Sequence, residues 1–193
     1  MNLLKKTTAI ILAGGSGSRM SFDKTRIMIH GKNILQHHYD IFSSCFGEVI
    51  ISVGKGNAFY ISGYPNVVED DLPGKGPIMG IYSAMRESKN NLNFVIAVDI
   101  PFVNFKVIEK LISKSRDYDI VVPSFNKDQC DTLFAVYRKN ILTKMDRQIQ
   151  KNQLKITDLF PLCKACVVNI SDKAWYSNLN TPEDVSQYLK KRE

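Results

Sequence analysis

Long apolar runs are missing from this chain. The one that follows Lys5 and Lys6 extends only from Ala9 to Ala13, far short of the roughly 20 residues that cross a bilayer. No small-residue cleavage pattern precedes the glycines after it, so neither a secretory leader nor a membrane partner is expected. Cysteine is sparse: Cys45, Cys130, Cys163 and Cys166 are too few for the disulfide framework of a small secreted fold, and a cytoplasmic setting is expected. Cys163 and Cys166 form a C-x-x-C, but there is no second pair, no histidine nearby, and Val167-Val168 continue an apolar run, which favours packing over metal binding. A basic stripe is also absent. The 26 basic residues exceed the 19 acidic ones and give a net charge of +7, yet they cluster only at Lys5-Lys6 and Lys190-Lys191-Arg192. That balance suits small anionic ligands and excludes a nucleic-acid surface. Two nucleotide motifs are missing as well: no Gly-Lys-Ser or Gly-Lys-Thr occurs, and Met20 stands where a dinucleotide fingerprint would need its third glycine after Gly15 and Gly17.

What the chain does have is regular alternation of strand and helix patterns over a length suited to one domain spanning residues 1–193. Strands are expected at Thr8–Leu12, Glu48–Val53, Pro65–Glu69, Asn93–Val98, Asp119–Pro123, Leu133–Tyr137 and Cys166–Ile170. Between them, spacings of three and four mark helices. Asn33 caps one that buries Ile34, Leu35, His38, Ile41 and Phe42, and another carries Ile78, Ile81, Tyr82 and Met85. Asn104 caps the helix of Val107, Ile108, Leu111 and Ile112, and Ile141–Gln150 turns Leu142, Met145 and Ile149 inward. A turn or two of helix is expected over Lys155–Phe160, and Phe125–Thr132 reads as a polar loop. The last helix, Pro182–Lys190, opens on Thr181, Pro182 and Asp184, a strong start signal. Alternation of this kind predicts an α/β fold with a mostly parallel sheet between helical layers, with ligands beyond the carboxyl ends of the strands.

Three chemically useful segments fall at such ends. The first is Leu12-Ala13-Gly14-Gly15-Ser16-Gly17-Ser18-Arg19, followed by Lys24, a layout that lets backbone N–H groups and two cations surround a polyphosphate. The second is Asp70-Asp71, and the third is Asp99, which directly precedes Ile100-Pro101. A carboxylate beside a phosphate cradle suits Mg²⁺, which takes one or two carboxylates plus phosphate oxygens. Together they suggest nucleotidyl transfer: a phosphate attacks the α-phosphate of a nucleoside triphosphate while Arg19 and Lys24 hold the departing pyrophosphate. A phosphate monoester is already largely dianionic near neutral pH, so no general base is needed. His30, His37 and His38 accordingly read as structural.

The chain is similar to the molybdenum cofactor guanylyltransferase family. The likeness rests on Leu12-Ala13-Gly14-Gly15 with Arg19-Met20 and Asp23-Lys24, then Glu69-Asp70, Gly76-Pro77 with Gly80-Ile81, Asp99-Ile100-Pro101, and Asn178-Leu179-Asn180-Thr181-Pro182-Glu183-Asp184. It extends from about residue 8 to residue 188. The resemblance implies a Rossmann-like, three-layer α/β/α nucleotidyltransferase fold that joins GMP from GTP to the terminal phosphate of molybdopterin. Carried over by motif, Leu12, Ala13, Gly14, Gly15, Lys24 and Asp70 would contact GTP and Asp99 would hold Mg²⁺. Arg19 would share in catalysis, and Asn178 and Asn180 would lie near the active site. Molybdoenzymes or their chaperones are implied as partners. Two departures stand out: Ser21 replaces a glycine after Arg19-Met20, and Cys130-Asp131-Thr132 stands where the family usually has His-Pro. The alternatives left open are a cytidylyl- or sugar-phosphate nucleotidyltransferase, and a non-catalytic nucleotide-binding partner of a molybdoenzyme.

Overall fold

The sheet takes its order from the burial of its first strand. In β1 (Thr7–Leu12) all six residues are buried, with Ala9 and Ile11 facing one helical layer and Ile10 and Leu12 the other. A strand buried on both faces belongs at the centre of a covered parallel sheet. Here β1 pairs in parallel with β4 (Glu48–Val53) on one side and β6 (Leu92–Ala97) on the other. The computed structural model describes residues 3–14, 27–29, 31–61, 63–126, 129–172 and 174–190.

Among these residues the main sheet runs β10-β7-β9-β6-β1-β4-β5, where β5 is Val67–Glu69, β7 Ile120–Asn126, β9 Phe134–Arg138 and β10 Ala165–Asn169. β9 is antiparallel to both β6 and β7, while the β10–β7 and β4–β5 pairs are parallel. A small antiparallel pair, β2 (Met28–Ile29) with β3 (Lys32–Asn33), stands apart from the sheet. Helices α1 (Ile34–Cys45), α3 (Phe105–Lys114) and α5 (Pro182–Lys190) cover one face, and α2 (Pro77–Glu87) and α4 (Leu142–Gln150) cover the other. The expected caps are present. Asn33 Oδ1 accepts from the Gln36 N–H at 2.7 Å, and Asn104 Oδ1 accepts from the Val107 N–H at 3.3 Å. Each satisfies a backbone donor that the first helical turn leaves open.

The segment read as a polar loop is different. β7 continues to Asn126, and Gln129–Cys130 forms β8, which pairs with β7 across a register shift. Its polar residues gave no strand signal because the ladder there is held largely by backbone hydrogen bonds, with Ser124 Oγ adding one to the Gln129 carbonyl at 3.1 Å. Lys155–Phe160 corresponds to a 3₁₀ helix over Ile156–Leu162. No helix among the described residues is long and apolar enough to cross a membrane, and all four cysteines are free.

Candidate active site

The carboxyl end of β1 is pressed between its two neighbours. The Ala13 N–H donates to the Ser52 carbonyl at 2.8 Å, and the Val98 N–H donates to the Leu12 carbonyl at 3.1 Å. Gly14 follows directly. A Cβ at Gly14 would lie 2.6 Å from the Gly54 backbone nitrogen and 3.0 Å from the Val53 carbonyl carbon. Backbone cannot yield as a side chain can, so this close approach admits only glycine. Gly80, on the first turns of α2, makes a second close approach: its Cβ would stand 2.8 Å from Ser52 Oγ, 3.3 Å from Asp70 Oδ1 and 3.4 Å from Leu12 Cδ2. Two glycines far apart in sequence thus bring the ends of β1 and β4 and the start of α2 around Asp70.

The Asp70-Asp71 pair divides in its contacts. The Asp71 carboxylate turns to Arg86 at 2.5 Å, its N–H donates to Ser83 Oγ at 3.1 Å, and its carbonyl accepts from Lys55 Nζ at 3.1 Å. Asp70 is fixed by its own N–H, which donates to the Val53 carbonyl at 2.9 Å, and its carboxylate faces Gly80. Partial burial pushes the Asp70 carboxyl up to about 6, with the charges of Asp71 and Glu69 adding to the rise. A carboxylate strained in this way favours a nearby cation.

Asp99 follows the end of β6, half-buried. Its loop is held from two sides. His38, buried in α1, donates from Nε2 to the Ile100 carbonyl at 2.9 Å, and the Leu179 N–H donates to the Asp99 carbonyl at 2.8 Å. Leu179 is itself 1% exposed, so the Asn178–Thr181 stretch is anchored by a buried apolar residue. The capping box at α5 completes the anchor: Asp184 Oδ2 accepts from the N–H groups of Asn180 at 2.9 Å and Thr181 at 2.8 Å, while Thr181 Oγ1 accepts from the Asp184 N–H at 3.1 Å.

A second carboxylate stands beside Asp99. The β9–β6 pairing sets Phe134 against Ile96, and the Ala97 N–H donates to the Leu133 carbonyl at 2.8 Å, which carries Asp131 to the same end of the sheet. Burial pushes the Asp131 carboxyl up; the Tyr176 hydroxyl and the Leu133 N–H draw it back, and the nearby charge of Asp99 adds to the rise. Tyr176 donates its hydroxyl proton to Asp131 Oδ2, and the Leu133 N–H donates to Oδ1 at 2.7 Å. Burial beside that carboxylate raises the Tyr176 hydroxyl far above its usual range, so it remains a proton donor throughout the neutral range.

The structure therefore brings Leu12, Ala13, Gly14, Asp70, Asp99, Asn178 and Asn180 to the same edge of the sheet or to segments fastened to it. Gly15, Arg19, Lys24 and Ser21 lie outside the described residues. Sequence reasoning missed Asp131 as a site residue and gave no sign of Tyr176; the one available signal was that Asp131 sits in the Cys130-Asp131-Thr132 departure. The donor set suits a hard divalent cation. Among the described residues no three His, Cys, Asp or Glu side chains gather into a cage, so a cation at Asp99 would draw its remaining oxygens from phosphates and water, the usual arrangement for Mg²⁺.

The family model described as "MobA-like NTP transferase domain" matches residues 9–169. A protein of Natranaerobius thermophilus named "Probable molybdenum cofactor guanylyltransferase" is 33% identical over 96% of this chain and 98% of its own length. A protein of Aquifex aeolicus with the same name is 28% identical over 97% of this chain and 92% of its own length. The crystal structure of molybdopterin-guanine dinucleotide biosynthesis protein A from Archaeoglobus fulgidus superposes with a TM-score of 0.81 at 24% identity, covering 96% of this chain and all of that one, which is a likeness of fold.

Proposed function

The chain belongs to the MobA-like NTP transferase family and is a nucleotidyltransferase, and we propose that it transfers GMP from GTP to the terminal phosphate of a molybdopterin-type cofactor, releasing pyrophosphate. The observation that carries this reading is the junction of β1 and β6, where the Val98 N–H to Leu12 carbonyl bond, 3.1 Å long, puts the start of the glycine loop beside the strand end that leads to Asp99. A triphosphate on the loop then lies against the one carboxylate that begins the Asp99-Ile100-Pro101 turn.

In this reading the site has two halves that meet at β6. On the β1, β4 and α2 side, Leu12, Ala13, Gly14 and Gly15 receive the nucleotide, and Asp70 with Gly80 bounds that half. The absence of a side chain at Gly80 leaves room next to Asp70 and Leu12 that a Cβ would fill. Lys24 and Arg19 hold the leaving pyrophosphate. On the β7 and β9 side, Asn178 and Asn180 orient the attacking phosphate, their backbone fixed through Leu179 and Asp184. Asp99 would hold Mg²⁺, which would supply neutralisation of the phosphate charge that builds up during transfer. The chain's own contribution is to fix both phosphates in line while supplying no general base, consistent with the placing of His38 in a buried structural role.

The test of base identity is a thermal-shift comparison of GTP, CTP, ATP and UTP, each with Mg²⁺. A ligand that binds only the native state raises the melting temperature according to its concentration relative to Kd. GTP is expected to give the largest rise. A larger rise with CTP would replace the guanylyl reading with the cytidylyl one.

A further inference from the structure

A closed ring of bonds surrounds Asp99. The Asp99 carbonyl accepts from Leu179 at 2.8 Å. Asn178 follows Tyr176 by two residues in the same stretch, and the Tyr176 hydroxyl donates to Asp131 Oδ2. Asp131 Oδ1 accepts from the Leu133 N–H at 2.7 Å, and the Leu133 carbonyl accepts from Ala97 at 2.8 Å, two residues before Asp99. Three of these bonds, Leu179 to Asp99, Tyr176 to Asp131 and Ala97 to Leu133, join separate stretches of chain, so the stretch that carries Asn178 is fastened to the Asp99 turn by way of Asp131 as well as directly.

From this ring we infer that Asp131 is a positioning residue: acting through Tyr176, it seats Asn178 beside Asp99 and so sets the acceptor half of the site. The inference rests on the two-sided reading of the site given above. Asp131 is well suited to the task. Both of its oxygens already accept hydrogen bonds, from Leu133 and Tyr176, so it works by holding its neighbours. The Tyr176 ring is fixed as well, stacked on Phe125 at 3.9 Å between centroids and 19° between planes. Trp175 is gripped by Phe125 at 5.6 Å and by Phe134 at 5.5 Å. The hydroxyl is therefore the one part of Tyr176 whose removal cuts the ring without removing the packing.

Trp175 is the only tryptophan in the chain, so its fluorescence reports the seat directly. Tyr176→Phe is expected to raise the acceptor KM about tenfold, the effect of losing one hydrogen bond to a charged group. It should leave GTP affinity in the presence of Mg²⁺ at the parent value and increase acrylamide quenching of Trp175. Asp131→Ala should do the same. Asp131→Asn should recover much of the loss, because its carbonyl can accept from Leu133 while its amide donates to the Tyr176 oxygen. Unchanged acceptor KM and quenching in Tyr176→Phe would overturn the inference, as would equal weakening of GTP and acceptor together with a general loss of stability. If the parent chain turns over no GTP, the guanylyl-transfer reading fails, and quenching alone then decides the seat: raised in Tyr176→Phe it supports the inference, unchanged it overturns it.

Discussion

The Nε2 of His38 hydrogen-bonds the carbonyl of Ile100 at 2.9 Å across 62 positions of sequence, tying α1 to the turn that begins with Asp99. The carbonyl can only accept, so His38 donates from Nε2. The ring lies flat against Phe42, 5.8 Å between centroids and 8° between planes. A histidine in an apolar layer is therefore part of the framework that holds the Asp99 turn.

Its burial makes stability depend on pH. Desolvation lowers the His38 imidazole to about 4 from its ordinary 6.5, with the charge of His37 adding to the effect. Between those values the unfolded chain binds a proton that the folded chain refuses, so stability falls as pH falls through this window. The loss amounts to about 3 kcal/mol by pH 4. His38→Gln keeps an N–H for Ile100 but does not titrate. The difference in urea midpoint between parent and variant should shrink markedly from pH 7 to pH 4. A difference independent of pH would contradict the assignment.

Asp70 predicts the opposite sign. Its folded value, about 6, lies above the ordinary 3.8. The folded state therefore holds a proton that the unfolded state has released, and stability is lost as pH rises from about 4 to about 6. Asp70→Asn should melt higher than the parent at pH 8 and nearly level with it at pH 4, while binding GTP with Mg²⁺ more weakly. Equal melting temperatures at pH 8 would argue against a strained carboxylate.

Gly80→Ala should test the close contact between α2 and β4. Its Cβ would stand 2.8 Å from Ser52 Oγ in a buried setting, and overpacking of this kind costs about 1–3 kcal/mol. The gain in helix propensity, about 1 kcal/mol, offsets part of it. Ser52→Ala in the same chain removes the atom in conflict and should recover most of the stability. Failure of the double variant to recover would mean that the crowding lies with Asp70 or Leu12 instead.

Much of this architecture was legible in the sequence because it rests on local rules. β-branched runs marked β1, β4 and β6, and the side-chain caps at Asn33, Asn104 and Thr181 with Asp184 marked helix starts that the structure places within a residue of expectation. The strand ends then put Asp70 and Asp99 on one edge. What could not be read depends on contacts between distant segments. Nothing local distinguishes β9, the antiparallel strand between β6 and β7, from a parallel one, yet its reversal is what brings Asp131 to Asp99. Tyr176 lies 45 residues from Asp131 in a stretch with no periodicity. The Asp70-Asp71 pair gave no hint that Asp71 would be taken up by Arg86, because that choice is made by the course of α2.

The central claim is guanylyl transfer at Asp99, and pyrophosphate release tests it most directly. The parent chain and Asp99→Asn would each be given GTP, Mg²⁺ and a molybdopterin-type phosphate acceptor. The parent is expected to release one pyrophosphate for each acceptor modified, and Asp99→Asn should be slower by on the order of a hundredfold or more, as when a group that stabilises transition-state charge is removed. Tight GTP binding by the parent with no pyrophosphate released, or full activity in Asp99→Asn, would contradict the account.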